Sequence, residues 1–231
     1  MELERVRTHK STFVWFEGNI SAGKTTLLNE LMDVYPQAFV GLEDFDRSLA
    51  GLKYFYTADA KNCIKCAFFA TQCGAVHEHL CAFFRALESG KDMAFFDRSI
   101  WGSMAFVDTA RDNNIITSEE YAILCNLFYQ IDLQIKFICE ARMIKMIGIL
   151  VDTPAETCQS RHTQRINLSE MGNQKTVGNT VDLIYLKQLH YSYWLLCHVG
   201  SQRGISFLAV DGLKEPFKLC QDVCDLLNKF I

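Results

Sequence analysis

The chain has 231 residues, of which 49% are apolar and 22% are charged, and its formal net charge is −4. This size and composition fit one globular domain over residues 1–231 with a large buried core. The acidic balance and the lack of a basic run argue against a nucleic-acid-binding surface, and the longest apolar runs fall far short of the roughly 20 residues that cross a bilayer.

Apolar runs and helical patterns alternate through the first half of the chain. Residues 12–17 predict a buried strand that leads through a glycine-containing loop into a helix over Lys24–Val34. Residues 39–42 predict a second strand, and residues 62–89 carry a long helical pattern. Residues 92–96 predict a third strand.

The second half continues this alternation. One helix is predicted up to about Ala110 and another from about Ser118, followed by a strand over residues 146–151 and a helix with Pro154 near its start. The polar stretch 165–180 contains two glycines and few apolar anchors, so it predicts a mobile loop.

A helix over residues 181–199, a strand over 206–210 and a C-terminal helix complete the chain. Strands that alternate with helices indicate a parallel sheet covered by helices on both faces. The sequence therefore predicts an α/β fold with three layers, α/β/α, around a five-stranded parallel sheet.

A phosphate-binding loop follows the first strand. Residues 18–25 fit the pattern G-x-x-x-x-G-K-[ST], in which glycines let backbone N–H groups wrap the β-phosphate at the start of a helix. Lys24 would reach the β- and γ-phosphates, and the Thr25 hydroxyl could ligate Mg²⁺. The motif predicts a P-loop NTPase fold and an ATP site formed by Gly18, Asn19, Ile20, Ser21, Ala22, Gly23, Lys24, Thr25 and Thr26.

Charged residues follow the next two strands, where loops of an open parallel sheet meet the ligand crevice. A carboxylate at Glu43 could take the proton from an attacking hydroxyl. Asp97 could hold Mg²⁺, and Arg98 could offset charge on the transferring phosphoryl group, although an ordinary salt bridge is the alternative.

Two arginines precede the polar loop. Arg161 and Arg165 would place guanidinium groups on the phosphates as a lid over about residues 162–180 closes over ATP. Their alternative interpretation is as solvated helix charges.

With these motifs the sequence resembles the deoxynucleoside kinases of the deoxycytidine, deoxyguanosine and mitochondrial thymidine kinase type, over about residues 13–211. The motifs are the loop from Glu17 to Thr26, Glu43, Phe96-Asp-Arg-Ser99, Thr153-Pro-Ala-Glu-Thr-Cys158 with Arg161, and Tyr185-Leu-Lys-Gln-Leu-His-Tyr191. The resemblance implies an ATP-dependent kinase of deoxynucleosides that uses Mg²⁺ and forms a homodimer.

The resemblance also implies a role for individual residues. Glu43 would be the general base on the 5′-hydroxyl, Asp97 the acidic metal ligand and Arg98 the arginine near the 5′-oxygen and phosphate. Gln72 would read the base edge through its amide. The sugar 3′-hydroxyl would meet Glu170 in the lid and Tyr56, with Tyr54 as the alternative.

Several positions depart from the family pattern. Asp44 and Ser48 stand where proline and a base-contacting tryptophan are usual, and Asn167 replaces the second lid arginine. His79 and Ser103 occupy the positions of an arginine–aspartate pair that selects bases in some relatives. Without that pair a 5-methyl group fits and no buried charge is left unpaired, which favours thymidine or a broad pyrimidine range.

The alignment with the family pattern has two possible registers after Trp101. A one-residue gap after it would move Ser103 away from the base and bring Phe106 onto the family's base-stacking phenylalanine.

Two other functions share the same motifs. A deoxynucleoside monophosphate kinase of the thymidylate type also has a P-loop, an Asp-Arg strand end and a lid, but Glu43 would repel its phosphorylated substrate. A nucleotide-binding protein that has lost catalysis is the second alternative.

The ten cysteines are scattered and no secretory signal is recognisable, so we expect free thiols and a cytoplasmic protein. Cys63, Cys66, Cys73, His77 and His79 could be arranged as zinc ligands, but their spacing is irregular and an apolar helix is the favoured interpretation.

Overall fold

Five parallel strands form one sheet in the computed structural model, which describes residues 11–42, 64–171, 181–202 and 205–229. Val14 in the central strand lies opposite Phe95 on one side and Ile147 on the other. The spatial order is β2-β3-β1-β4-β5, with β1 (Ser11–Glu17), β2 (Phe39–Gly41), β3 (Met93–Asp97), β4 (Ile144–Asp152) and β5 (Ser206–Asp211).

Helices cover both faces of this sheet. Phe13 and Trp15 of β1 pack with α2, α3 and α4 on one face, and Val14 and Phe16 pack with α1 and α7 on the other. The predicted three-layer architecture is therefore confirmed. The described helices are α1 (Lys24–Val34), α2 (Ile64–Ser89), α3 (Ile100–Asp112), α4 (Ser118–Ala141), α5 (Ala155–Met171), α6 (Leu183–Gln202) and α7 (Pro216–Leu227).

The start of α3 places the end of β3 next to the phosphate loop. Ser99 is its N-cap, and the Ser99 Oγ accepts hydrogen bonds from the backbone N–H groups of Trp101 and Gly102. The Trp101 indole donates to Asp132 of α4 at 2.8 Å. These bonds fix the first turn of α3 between the sheet and α4.

One predicted boundary is wrong. Residues 165–180 read as a loop, yet α5 continues to Met171. No glycine or proline interrupts the chain between Ala155 and Met171, and the first glycine comes at Gly172. The Thr163 hydroxyl bonds back to the Gln159 carbonyl within the helix. The polar residues and the two glycines therefore suggested a loop from residue 165, whereas the helix continues to Met171 and residues 172–180 lie outside the described residues.

Helix α4 is long and apolar enough by composition to cross a membrane. Its Leu124, Phe128, Ile131 and Ile135 are nevertheless buried in the core cluster against α2, α3 and the sheet. One such helix is weak evidence for a membrane span, because helices at the core of a domain pass the same test.

Candidate nucleotide and nucleoside site

The phosphate loop turns on two glycines with positive φ, Gly18 at 142° and Gly23 at 106°. A Cβ on Gly18 would lie 2.7 Å from the Val151 carbonyl oxygen, so the loop can pass β4 this closely only without a side chain. The Ala22 N–H donates to the Asn19 carbonyl at 3.2 Å and closes the turn. The predicted strand, loop and helix therefore carry the motif in the required order.

Lys24 is folded back into this loop. Its side chain is only 6% exposed, and its Nζ donates to the carbonyls of Gly18 at 3.1 Å and Asn19 at 3.0 Å. The Asn19 amide in turn donates to the Leu186 carbonyl of α6 at 2.9 Å. The ammonium is thus held inside the turn, at the positive end of α1, where phosphate oxygens would bind.

Thr25 and Asp97, the two predicted metal ligands, lie side by side. The Thr25 hydroxyl donates to Asp97 Oδ2 at 3.0 Å, and Asp97 Oδ1 is buried without a hydrogen-bond partner in the part of the chain that the structure describes. A hydroxyl and a carboxylate are hard oxygen donors of the kind that Mg²⁺ prefers. These residues fit an Mg²⁺ ion, which would neutralise charge on the β- and γ-phosphates.

Arg98 links β3 to the loop. Its backbone is in the left-handed region at φ 67°, a conformation that costs about 1–2 kcal/mol for a residue with a side chain. Its N–H donates to the Phe16 carbonyl at 3.0 Å, and its guanidinium donates to the Gly18 carbonyl at 3.0 Å and to the Tyr193 hydroxyl. The Arg98 cation consequently stands at the mouth of the phosphate loop.

Phe106 supports the same guanidinium. The Arg98 Cζ lies 5.2 Å from the centroid of the Phe106 ring, and the Phe106 and Tyr193 rings meet edge to face. In this structure Phe106 therefore packs on the arginine. Its predicted stacking on a nucleobase stays a prediction.

A pocket opens beside Arg98 between α2 and the carboxyl ends of β2 and β3. Within it His79 is neutral, because burial first and the Arg98 charge second lower the pKa of its imidazole from 6.5 to about 4. The pocket is lined by Trp15, Gly41, Leu42, Ala75, Glu78, His79, Ala82, Phe96, Asp97 and Arg98.

Gln72 and Ser103 are both buried but do not line this pocket. Gln72 lies on α2 two turns before His79, is 5% exposed, and its Oε1 has no hydrogen-bond partner among the described residues. A buried amide oxygen without a partner is costly, and a ligand that donates a hydrogen bond would remove that cost. Ser103 lies in the first turn of α3, where its N–H bonds to Ser99.

Both predicted lid arginines contact the phosphate loop from α5. Arg161 donates to the Ala22 carbonyl at 3.1 Å and to the Gly212 carbonyl, beyond β5, at 3.0 Å. Arg165 donates to the Ser21 hydroxyl. They are therefore held at the loop, where their role toward ATP stays a prediction.

Four predicted residues cannot be placed. Glu43, Tyr54 and Tyr56 lie outside the described residues, and Glu170 falls in the last turn of α5 with its side chain outside them. Of the proposed zinc ligands, Cys63 and Cys66 have no described side chain. Within the described ranges no three cysteine, histidine or acidic side chains form a metal-binding group.

Sequence reasoning assigned no role to Glu17, the last residue of β1. Its side chain is 0% exposed, and Oε1 accepts a hydrogen bond from the Ser99 hydroxyl. Burial raises the pKa of Glu17 to about 7, against the opposing effects of the Ser99 bond and of the Arg98 and Lys24 charges. The sequence feature that could have identified Glu17 is an acidic residue at the end of an otherwise apolar strand. No sequence feature pointed to Tyr193, which bonds to Arg98.

Comparisons with known proteins give a family and a similar fold. The family model described as deoxynucleoside kinase matches residues 14–231. Solved structures of a deoxyadenosine kinase from M. mycoides are similar in fold: the form with bound dATP has a TM-score of 0.72 at 16% identity, and the form with bound dCTP has 0.67 at 16%. Each alignment covers 94% of this chain and 99% of the other. No curated protein sequence matches this one.

Proposed function

This chain belongs to the deoxynucleoside kinase family, and from that premise we propose that it transfers the γ-phosphate of ATP to the 5′-hydroxyl of thymidine or of a broad range of pyrimidine deoxynucleosides. The chain is an ATP-dependent deoxynucleoside kinase; the base preference, the metal and the assembly are the parts that we propose.

The observation that carries the proposal is the position of Arg98. Its guanidinium bonds to the Gly18 carbonyl of the phosphate loop and also forms one wall of the pocket next to α2. A nucleoside in that pocket would present its 5′-oxygen toward the loop, where Lys24 would meet the γ-phosphate. The proposed acceptor and donor sites would thus share one cation, which would hold the two substrates near each other.

Glu43 comes directly after Leu42 in the sequence, and Leu42 lines this pocket. We propose that Glu43 takes the 5′-hydroxyl proton as the oxygen attacks phosphorus. Lys24 and Arg98 would stabilise the charge that spreads over the phosphoryl oxygens. Thr25 and Asp97 would hold Mg²⁺, which would lower the charge on the phosphates when bound. Arg161 and Arg165, which belong to α5, would bind the remaining phosphate oxygens and exclude water from the phosphate site.

The charges of the pocket favour a nucleoside over its monophosphate. Among the described residues that line it, Arg98 is the only permanent cation, while Glu78 and Asp97 are acids and His79 is neutral. A monophosphate would bring two negative charges, and the described lining residues offer them no cation besides Arg98. Glu43 would add repulsion. A thymidylate-type kinase is therefore the less favoured activity.

The proposed base preference rests on His79, which lines the pocket, and on Ser103, which is buried in the first turn of α3 and does not line it. Both are polar but uncharged, so a base that lacks a partner for either group leaves no buried charge unpaired. The amide of Gln72, with its unpartnered oxygen, supplies the hydrogen-bond acceptor that the N–H of a pyrimidine ring would meet. Because the structural relatives are named deoxyadenosine kinases, deoxyadenosine is the purine to set against thymidine.

A homodimer is the assembly that we propose. On the outer side of α4, Ile123, Leu127 and Phe137 are exposed at helical spacing, and α6 exposes Tyr191 and Trp194. Exposed apolar stripes of this kind favour association with a second copy. Sedimentation of Leu127→Glu with Phe137→Glu, and separately of Tyr191→Glu with Trp194→Glu, would show whether either stripe is the interface.

We propose that the protein is cytoplasmic. Eight cysteines, among them the buried Cys139, Cys158 and Cys220, are free thiols in the part of the chain that the structure describes. Free thiols persist in a reducing compartment. Fractionation of cells that express the full chain would test the location.

Initial rates of ATP-dependent phosphate transfer to thymidine, deoxycytidine, deoxyadenosine, deoxyguanosine and thymidine monophosphate would test the function. We expect the highest kcat/KM with a pyrimidine deoxynucleoside. Activity on the monophosphate alone would assign the chain to the thymidylate-type alternative. Binding of ATP and nucleoside without any product would identify an inactive nucleotide-binding protein.

A further inference from the structure

Glu17 is a buried carboxyl group that the reaction described above does not use. It ends β1, directly before the phosphate loop, and has no accessible surface. Its Oε1 accepts from Ser99, whereas its Oε2 has no hydrogen-bond partner among the described residues. An apolar side chain would avoid the cost of burying this oxygen, so stability of the fold does not explain an acid here.

The other hydrogen bonds of Ser99 determine which group is the donor in its contact with Glu17. The Ser99 Oγ accepts from the N–H groups of Trp101 at 3.0 Å and Gly102 at 3.2 Å. A hydroxyl has one hydrogen, and that hydrogen is left to point at Glu17 Oε1. The carboxyl group therefore acts as an acceptor that locks the Ser99 side chain into its role as the cap of α3.

The hydrogen bond between Ser99 and Glu17 affects Arg98, the residue before Ser99. It lies between Asp97 and Ser99 with a left-handed backbone, and its N–H is bonded to the Phe16 carbonyl of β1. The end of β1 thus holds the chain at two consecutive residues: Phe16 bonds to Arg98, and Glu17 bonds to Ser99 directly after it. Loss of the Glu17–Ser99 bond would let the Arg98 backbone leave the left-handed region, and its guanidinium would then move away from Gly18.

Gly102 completes the arrangement. A Cβ at this position would lie 2.1 Å from Glu17 Oε2, so the first turn of α3 approaches the carboxyl group only because residue 102 has no side chain. A side chain at residue 102 would therefore displace the Glu17 carboxyl group or the first turn of α3.

We propose that Glu17 is a positioning residue that acts through Ser99 to hold Arg98 at the phosphate loop, and so sets where the guanidinium meets the transferring phosphoryl group. The role requires a hydrogen-bond acceptor and not a negative charge. This inference deepens the proposed kinase function and rests on it for its kinetic test.

The kinetic test compares Glu17→Gln, which retains an acceptor oxygen, with Glu17→Leu, which removes it. We expect Glu17→Leu to lower kcat about 10–100-fold with the KM values for ATP and nucleoside within about 3-fold. We expect Glu17→Gln to stay within about 3-fold of the wild-type kcat. Equal losses in the two variants would overturn the acceptor role.

A double-mutant cycle with Arg98→Met separates positioning from general damage. In that background Glu17→Leu should lower kcat by less than about 3-fold, because the group that it positions is already gone. An undiminished loss would overturn the proposal. The matched control is Asp132→Leu, which removes a buried acceptor bonded to Trp101 in the same turn of α3 and should show no coupling to Arg98→Met.

A measurement without turnover keeps the inference separate from the proposed function. If Glu17→Leu does not fold, Ser99→Ala removes the same hydrogen bond and leaves Glu17 in place, although it also removes the two cap bonds to Trp101 and Gly102. The backbone carbon chemical shifts of Arg98 report its left-handed conformation. They should move toward right-handed or extended values in Ser99→Ala or Glu17→Leu but not in Glu17→Gln. Unchanged shifts in the first two variants would refute the positioning role, whereas wild-type protein without kinase activity would refute only the function.

Discussion

The donor side and the acceptor side of the site differ in how their polar groups are satisfied. On the donor side Lys24 bonds to Gly18 and Asn19, and Arg161 bonds to Ala22 and Gly212, so the phosphate loop is braced from within. On the acceptor side Gln72 Oε1 is buried without a hydrogen-bond partner among the described residues.

This difference indicates how each side recognises its ligand. A loop whose cations already hold its own carbonyls is formed before ATP arrives, and phosphate oxygens need only replace those carbonyls. A buried oxygen without a partner is stabilised by a ligand and not by the fold, which makes it a source of selectivity. The donor side therefore supplies a general phosphate site, and the acceptor side should decide the substrate.

The largest effect is expected at the proposed base, Glu43. Glu43→Gln should lower kcat by about 10²–10⁴ while nucleoside binding is largely retained, because the proton acceptor is lost and the pocket is not. Single-turnover rates and nucleoside titrations would measure this. Glu119→Gln, at an exposed position in the first turn of α4, is the control. Turnover near the wild-type value would remove Glu43 from the mechanism.

The second-largest effect on kcat is expected when the Lys24 ammonium is removed from the donor side. Lys24→Met should lower kcat by about 10²–10³, because the amine stabilises charge that grows in the transition state. Nucleoside affinity should change little, since Lys24 lies inside the loop. Lys187→Met removes an exposed lysine paired with Glu156 and should leave kcat unchanged. A weaker nucleoside affinity in Lys24→Met would show that the two sides are not separate.

A substitution on the acceptor side should act on the substrate alone. Gln72→Leu should weaken nucleoside binding about 10–100-fold, the loss expected for buried hydrogen bonds to a base, with the KM for ATP unchanged. The free energy of unfolding without ligand should not fall, because an unpartnered buried oxygen is removed with the amide. Calorimetric titration and thermal unfolding would measure both, with the more exposed Gln188→Leu as the control. A clear loss of stability would contradict the comparison.

The smallest effect concerns pH. The pKa of His79 is about 4 in the folded protein against an ordinary 6.5, so the unfolded chain binds its proton more tightly. His79 therefore contributes stability that is present above pH 6.5 and is lost as the pH falls toward 4, by up to about 3 kcal/mol. Denaturation of wild type and His79→Asn across this range would isolate it, with the exposed His77→Asn as the control. Parallel curves for wild type and His79→Asn would contradict the buried, neutral imidazole.

The sequence predicted the parts of the site that depend on local chain geometry. Gly18 to Thr25 could be assigned because the phosphate loop needs consecutive residues between one strand and one helix. The position of Asp97 and Arg98 followed from the rule that parallel strands end at one edge. The end of α5 was missed, because a polar helix without an apolar face has no periodic signal that distinguishes it from a loop.

Contacts between distant segments could not be predicted. Arg98 meets Tyr193 across 95 positions of the chain, and Asn19 meets Leu186 across 167. No spacing of residues in the sequence predicts these contacts, because they depend on how α3 and α6 pack on the sheet.

The sequence by itself thus determined the phosphate loop, the alternation of strands and helices and the family, since each of these depends on neighbouring residues or on a repeated pattern. Only the tertiary structure decided that Glu17 faces Ser99, that Gly102 leaves it room and that burial neutralises His79. Burial and desolvation arise when separate elements pack together, so the same carboxyl or imidazole in the same local sequence would titrate normally on an exposed surface.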